Sequence, residues 1–297
     1  MIDFQPITAK QRELYTQYFW DGKERGAEMS LVNLFLWGDQ RYTILDGQFV
    51  VFSNFYGKYS YSYPVGAGDK KSVIDRLMED AKERGIPFTL MGLYEEEKAV
   101  LEQLYPDVFE FASPESFYDY VYLIDDMADL AGKKYHRKRN HFRRFASSYN
   151  YQARPIESGD IPRLKIFVHQ WYESRAEEDV DFDMEMIAVG RVFDEYDSLG
   201  MYGLLLEVDG EIVAFTMANR FSPDTMDVNF EKAKRLDGAY AAINCEFANY
   251  IRKEIPEIRY MNREEDMGLE GLRKAKENYF PHHRVVKYRA RRKTGEL

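Results

Sequence analysis

One pattern, occurring twice, constrains the fold of this chain more than any other feature. Residues 41–53 read RYTILDGQFVVFS, two β-rich runs around Asp46-Gly47, and residues 201–217 read MYGLLLEVDGEIVAFTM, two runs around Asp209-Gly210. Asp-Gly tolerates the positive φ of a tight hairpin turn, so each segment predicts a hairpin. The sequel also matches. After the first hairpin come a strand near 59–64, Gly66 and Gly68, a helix over 72–84, the strand PFTLMGL, the helix EEEKAVLEQLY and the strand FYDYVYLI. After the second come a strand with alternating Met226, Val228 and Phe230, then Gly238, a helix over 240–253, the strand IRYMN, a helix over 269–279 and the strand RVVKYRA. Helical regions near 8–37 and 160–197 precede the two hairpins. The order predicts an α/β (α+β) chain of two units, residues 1–128 and 129–297, each a mixed, mostly antiparallel sheet flanked by helices.

The 297 residues suffice for two such units, and 23 Tyr with 20 Phe supply large side chains for two real cores. No apolar run approaches the roughly 18 residues of a membrane-crossing helix. The start, MIDFQPITAKQREL, lacks the basic and apolar stretches of a secretory signal, so a cytoplasmic location is expected. The single cysteine, Cys245, excludes an internal disulfide and reads as a small core residue beside Ile243 and Phe247. His136 and His141 are five apart, His282 and His283 are adjacent, and HxxxH spacing is absent, so no metal site is expected.

The net charge of −10 argues against binding nucleic acid through overall charge, but its distribution is uneven. Residues 133–144 read KKYHRKRNHFRR, with seven Lys/Arg and no acid. We expect a helix linking the units, with a narrow apolar stripe of Tyr135, Phe142 and Phe145. Lys133, Lys134, Arg137, Lys138, Arg139, Arg143 and Arg144 would cover the rest of the cylinder. Such a surface suits a phosphate backbone or an anionic membrane surface, bound peripherally. The competing expectation is internal pairing with the acidic stretch 173–197, which carries Glu177, Glu178, Asp179, Asp181, Asp183 and Glu185.

The remaining candidates follow the second hairpin. In Arg235-Leu-Asp-Gly238-Ala-Tyr240, a glycine ahead of a helix lets backbone amides approach an anion, so Arg235 and Gly238 are expected at a phosphate site. An ordinary strand-to-helix turn is the alternative. On the following helix, Asn244 borders the core stripe of Ile243, Phe247, Tyr250 and Ile251. A buried amide there must be paired, either to fix the loop or to touch a ligand. Strand alternation puts Asp227, Asn229 and Glu231 on one face, making Glu231 a base or a holder of a substrate amino group. The stretch Asn262-Arg263-Glu264-Glu265-Asp266 ends a strand with an amide, a cation and three carboxylates. One acid is explained as a helix cap. Glu265 or Asp266 is expected as general base, with Asn262 and Arg263 beside the substrate. Arg273 and Lys276, three apart on the next helix, are expected as anion ligands.

Thr225–Pro281 resembles the cofactor-binding half of the GNAT acyltransferases, whose Q/R-x-x-G-x-G/A loop lies where Arg235–Tyr240 does. The wording EKA…NREED.G..GLRKAK..Y.P, with Asp119-Tyr120-Val121-Tyr122, LAGKKYHRKRNHFRRF and SLVNLFLW, resembles the C-terminal domain of the phosphatidylglycerol lysyltransferases, in a branch usually left without a function. The resemblance implies tandem GNAT-like units and transfer of an aminoacyl or acyl group. No bound cofactor is expected to be required. The donor would be aminoacyl-tRNA, and the acceptor an unidentified amine or hydroxyl such as an anionic lipid headgroup. The runner-up is a coenzyme A-dependent N-acyltransferase using acyl-CoA. A non-catalytic RNA- or membrane-binding protein is the third expectation.

Overall fold

A computed structural model describes residues 1–175 and 183–293. The chain forms two compact units, Met1–Asp119 together with the residues from Val285 onward, and Tyr120–Arg284. The first holds β1 (Gln5–Pro6), β2 (Asp39–Leu45), β3 (Gln48–Phe55), β4 (Lys58–Ser62), β5 (Thr89–Leu93), β6 (Phe109–Ala112) and β14 (Tyr288–Arg292). Its helices are α1 (Arg12–Phe19), α2 (Leu31–Leu36), α3 (Lys70–Arg84) and α4 (Glu95–Leu104). Strand order is β1-β2-β3-β4-β5-β14-β6, with β4 and β5 parallel. Both residues of the β2–β3 turn have positive φ, Asp46 at 48° and Gly47 at 74°, as a two-residue hairpin demands. Helix α3 is capped by the Asp69 carboxylate, which accepts from the Lys71 amide, and ends on left-handed Gly85. Its Val73, Ile74, Leu77 and Ala81, at helical spacing, pack with Phe52, Tyr61 and Leu90 of the sheet.

The second unit holds α5 (Ile124–Asp129), α6 (His136–Ser148), α7 (Ile161–Glu173), α8 (Asp183–Asp194), α9 (Tyr196–Leu199), α10 (Ala239–Glu254) and α11 (Glu270–Glu277). Its strands are β7 (Asp119–Leu123), β8 (Tyr151–Pro155), β9 (Tyr202–Val208), β10 (Glu211–Arg220), β11 (Thr225–Ala233), β12 (Tyr260–Asn262) and β13 (His283–Val285), ordered β13-β7-β12-β11-β10-β9-β8. Here β11 and β12 are the parallel pair. Helix α10 lays Ile243, Phe247, Ala248 and Ile251 on Met226 and Val228 of β11 and Leu204 and Leu206 of β9. Cys245 belongs to this core, and burial pushes its thiol up to about 12, consistent with an inert residue.

Position for position the two sheet orders correspond: hairpin, parallel strand pair, then two further strands. Both sheets are mixed and flanked by helices, the tandem GNAT-like architecture expected. The boundary differs from the expected 128/129. The strand FYDYVYLI, assigned by order to the first unit, is β7 and lies between β12 and β13. RVVKYRA, read as one strand of the second unit, divides into β13 and β14, and β14 lies between β5 and β6 of the first sheet. Linear order carries no information about such an exchange.

Candidate functional site

The parallel strands β11 and β12 pair only from Thr225↔Tyr260 to Asp227↔Asn262. Beyond that point β12 ends and β11 runs on to Ala233, so the two part at their carboxyl ends, where open α/β sheets bind ligands. Glu231 lies on this extension, which pairs with β10 alone. Its direction is not the one alternation predicts. The register between β10 and β11 shifts between Met217↔Phe230 and Ala218↔Val228, leaving Asn229 as the extra residue of a β-bulge. Past the bulge, Glu231 and Ala233 turn to the face already used by Met226 and Val228, beneath α10, whereas Lys232 meets Trp171 on α7 and Glu185 on α8. The bulge thus aims a carboxylate at the α10 side of the sheet.

Asn244 Nδ2 on α10 donates to Glu231 Oε1 at 2.8 Å, and Arg263 Nη2, just past β12, donates to the same oxygen at 3.1 Å. Glu231 Oε2 accepts no hydrogen bond from the described residues. Asn244 is 2% exposed and its Oδ1 has no partner; Arg263 Nη1 is likewise buried and without one. Burial opposes the Arg263 charge, but Glu231 together with the hydroxyls of Tyr122, Tyr279 and Tyr240 outweighs it and the guanidinium is held more firmly protonated than usual. Arg263 sits over the rings of Tyr279 and Tyr122, at 5.2 and 5.8 Å from their centroids. The structure therefore brings together three expected residues, Glu231, Asn244 and Arg263.

Lys138 joins them. Its ammonium lies 3.8 Å from the centroid of the Tyr279 ring that Arg263 also covers. Burial, then the nearby Arg263 charge, lowers its pKa to about 8, with Glu231 opposing. The sequence carried this signal. Tyr135, Lys138, Phe142 and Phe145 follow one another at intervals of three, four and three, so Lys138 belongs to the apolar stripe of α6 and not to its cationic cylinder.

The acidic turn is built differently from expectation. Asp266 is fully buried and accepts from Tyr120 Oη at 2.7 Å, Arg273 Nε at 2.9 Å, Arg273 Nη2 at 3.3 Å and the Gly268 amide at 2.8 Å. The Arg273 hydrogen bonds, with those from Tyr120 and Gly268, hold its carboxylate well below the usual range, so it is a structural anchor and not a base. Arg273 is correspondingly engaged by Asp266. Lys276, 7% exposed, donates its ammonium to the carbonyls of Arg263, Glu264 at 3.0 Å and Glu265 at 2.6 Å, fastening the turn and correcting its expected role as an anion ligand. Asn262, 1% exposed, accepts from the Glu264 amide at 2.7 Å, and Glu264 takes a φ of 57°. Glu265 is half-buried on this turn.

The Arg235–Tyr240 loop is also corrected. Gly238, φ 83°, is packed so tightly on α6 that a Cβ there would stand 2.2 Å from the His141 carbonyl oxygen. The glycine serves helix contact, and the start of α10 is covered by α6 where a pyrophosphate was expected. Arg235 is exposed nearby. Lys134, in the turn ahead of α6, pairs with Asp126, while on α6 Arg144 pairs with Asp237 and Arg139 donates to the carbonyls of Leu130 and Gly132. Lys133, Arg137 and Arg143 are exposed and make no ion pair among the described residues. Glu177, Glu178, Asp179 and Asp181, expected as internal partners of this helix, lie outside the described residues. Among those residues no group of three or more His, Cys, Asp or Glu is placed to hold a metal ion, and no helix is long and apolar enough to cross a membrane.

A family profile described as "Phosphatidylglycerol lysyltransferase, C-terminal" matches residues 21–291. A comparison with curated proteins finds no match. Among solved structures, a conserved protein of unknown function from Bacteroides thetaiotaomicron is 36% identical with a TM-score of 0.93, over 99% of this chain and 100% of that one. The L-PGS of Bacillus licheniformis is 16% identical with a TM-score of 0.71, over 100% of this chain and 96% of that one. A tandem GNAT protein from the clavulanic acid biosynthesis pathway is 11% identical with a TM-score of 0.51, over 99% of each chain. The last two share the fold.

Proposed function

The chain belongs to the phosphatidylglycerol lysyltransferase C-terminal family, and on that premise we propose that it is an aminoacyl transferase, moving an aminoacyl group from its ester on tRNA to an amine or hydroxyl acceptor such as an anionic lipid headgroup. The observation that carries this reading is the Glu231–Asn244–Arg263 cluster at the parting of β11 and β12. An aminoacyl ester presents an ammonium and a carbonyl one carbon apart. Glu231 Oε2 and Asn244 Oδ1 are acceptors suited to the ammonium, and Arg263 Nη1 is a buried donor suited to the carbonyl oxygen.

In this reading the acceptor oxygen or nitrogen attacks the ester carbonyl carbon while neutral Lys138 takes its proton. Negative charge builds on the carbonyl oxygen, and Arg263 stabilises it. The ester C–O bond then breaks, and the Lys138 ammonium returns the proton to the departing ribose oxygen. The exposed Lys133, just ahead of α6, and Arg137 and Arg143 on it guide the polyanionic donor. The covered start of α10 gives no support to the acyl-CoA alternative; calorimetry with acetyl-CoA at millimolar concentration is expected to show no heat.

The test incubates the purified protein with pooled labelled aminoacyl-tRNAs and a bacterial lipid extract, then follows the label. Label in the organic phase, bound through a newly formed ester or amide, supports the reading and identifies the amino acid. Label confined to tRNA, with soluble amines and hydroxyl compounds also tried, overturns it.

A further inference from the structure

The first unit contains a cavity of about 410 Å³ at the carboxyl ends of its own parallel strands, β4 and β5. We propose that this cavity binds a small amino-acid-like zwitterion, its carboxylate between Lys70 and Tyr63 and its ammonium at Glu97.

Four observations lead there. Lys70, at the first position of α3, lines the cavity, and its ammonium donates to Gln48 Oε1 at 2.8 Å and to the Gly66 carbonyl. Both acceptors are neutral, no carboxylate pairs with it, and one N–H remains. The Tyr63 hydroxyl, on a side chain 5% exposed, makes no hydrogen bond to a described residue. Its ring lies under the same ammonium, 5.9 Å away. Glu97 lines the cavity without a cation partner, bonded only to the Tyr94 amide at 3.3 Å. Burial and then the Glu97 charge push the Tyr63 hydroxyl up to about 12, so it is a donor at neutral pH. Cation, donor and carboxylate thus face one cavity, each with bonding capacity unspent.

The charge balance selects the ligand class. Arg25 is neutralised by two 2.7 Å bonds to Asp21, Lys23 is paired with Glu96 at 3.3 Å, and the start of α3 is already capped by Asp69. A phosphate dianion would therefore meet the lining carboxylates Asp21 and Glu97, whereas a zwitterion satisfies both signs. The volume falls in the range usual for small-molecule sites. This inference does not rest on the transfer reading.

Calorimetry of the full chain is the test, with the twenty free amino acids, their deaminated carboxylic acids and inorganic phosphate as separate probes. At least one amino acid is expected to bind. Lys70→Met and Glu97→Gln should each weaken it at least tenfold, and the matching deaminated acid should bind at least tenfold more weakly. Unchanged circular dichroism and melting confirm that the variants are folded; if Lys70→Met fails to fold, Glu97→Gln and the deaminated probe decide. Binding of phosphate in place of amino acids, equal binding of the deaminated acid, or no heat with any probe overturns the proposal.

Discussion

Glu231 and Asp266 are both carboxylates at the carboxyl end of one sheet, yet their surroundings assign them opposite duties. Asp266 receives four hydrogen bonds and has no capacity left for a ligand; Glu231 receives two on one oxygen and keeps the other. Glu231→Gln is expected to lower the melting temperature, because buried Arg263 loses its counter-charge, and to lower kcat/KM for aminoacyl transfer by about 10²-fold at temperatures where the variant is folded, because the proposed site loses the charge offered to an ammonium. If neutral Lys138 is the base, as proposed, kcat/KM should rise with pH and level off above about 8, the value to which burial lowers it. Lys138→Arg, cationic throughout, should abolish that rise and lower the rate by about 10²-fold or more; a rise that survives the substitution removes Lys138 from the mechanism. For Asp266 the sign is that of a depressed carboxylate. Its contribution to stability is complete above the unfolded value of about 3.9 and drains away as pH falls toward the lower folded value. Denaturation midpoints of the wild type should therefore fall below pH 4, and Asp266→Asn should start less stable at pH 7 and lose that part of the slope.

Helix α6 works through two faces. One brings Lys138 to Tyr279 and presses the His141 carbonyl against Gly238. Gly238→Ala must adopt a φ of 83° and displace α6 from α10. It should cost more than about 1 kcal/mol in urea unfolding and, by moving Lys138, reduce transfer beyond what the stability loss explains. The other face presents Arg137 and Arg143, with Lys133 in the turn just ahead of the helix. If it meets tRNA phosphates, changing all three to Ala should reduce the slope of log K against log salt by about 2–3. An unchanged slope places the donor's phosphates elsewhere. The division into two faces was legible in the spacing of Tyr135, Lys138, Phe142 and Phe145, because helical periodicity is local. The bulge at Asn229 was not. It is fixed by the register of β11 on β10, a pairing between distant segments, and one extra residue reverses every later side chain. That is why Glu231 could be singled out from its sequence while the face it occupies could not.

At the scale of the whole chain, the twin Asp-Gly hairpins and the order of elements after them were enough for two sheets of one plan, since turn chemistry and hydrophobic patterning act within a few residues. The site was readable as residue types at strand ends, and Glu231, Asn244 and Arg263 do converge. The roles of Asp266, Lys276 and Gly238 were not readable, because each depends on a partner brought by the fold: Tyr120, the turn carbonyls, and the backbone of α6. The same holds for the exchanged strands. β14 pairs with β5 through Ala290↔Leu90 and with β6 through Arg289↔Ala112, so the first sheet draws an internal strand from the far end of the chain. A fragment spanning residues 1–119 therefore exposes two unpaired edges in mid-sheet and a gap where Ala290, fully buried, completes the core. Such a fragment should fail to give a cooperative unfolding transition. Supplying residues 285–293 in cis, through a flexible linker after residue 119, should restore one. If residues 1–119 melt cooperatively alone, β14 is an accessory to the sheet and the first unit's fold is complete without it.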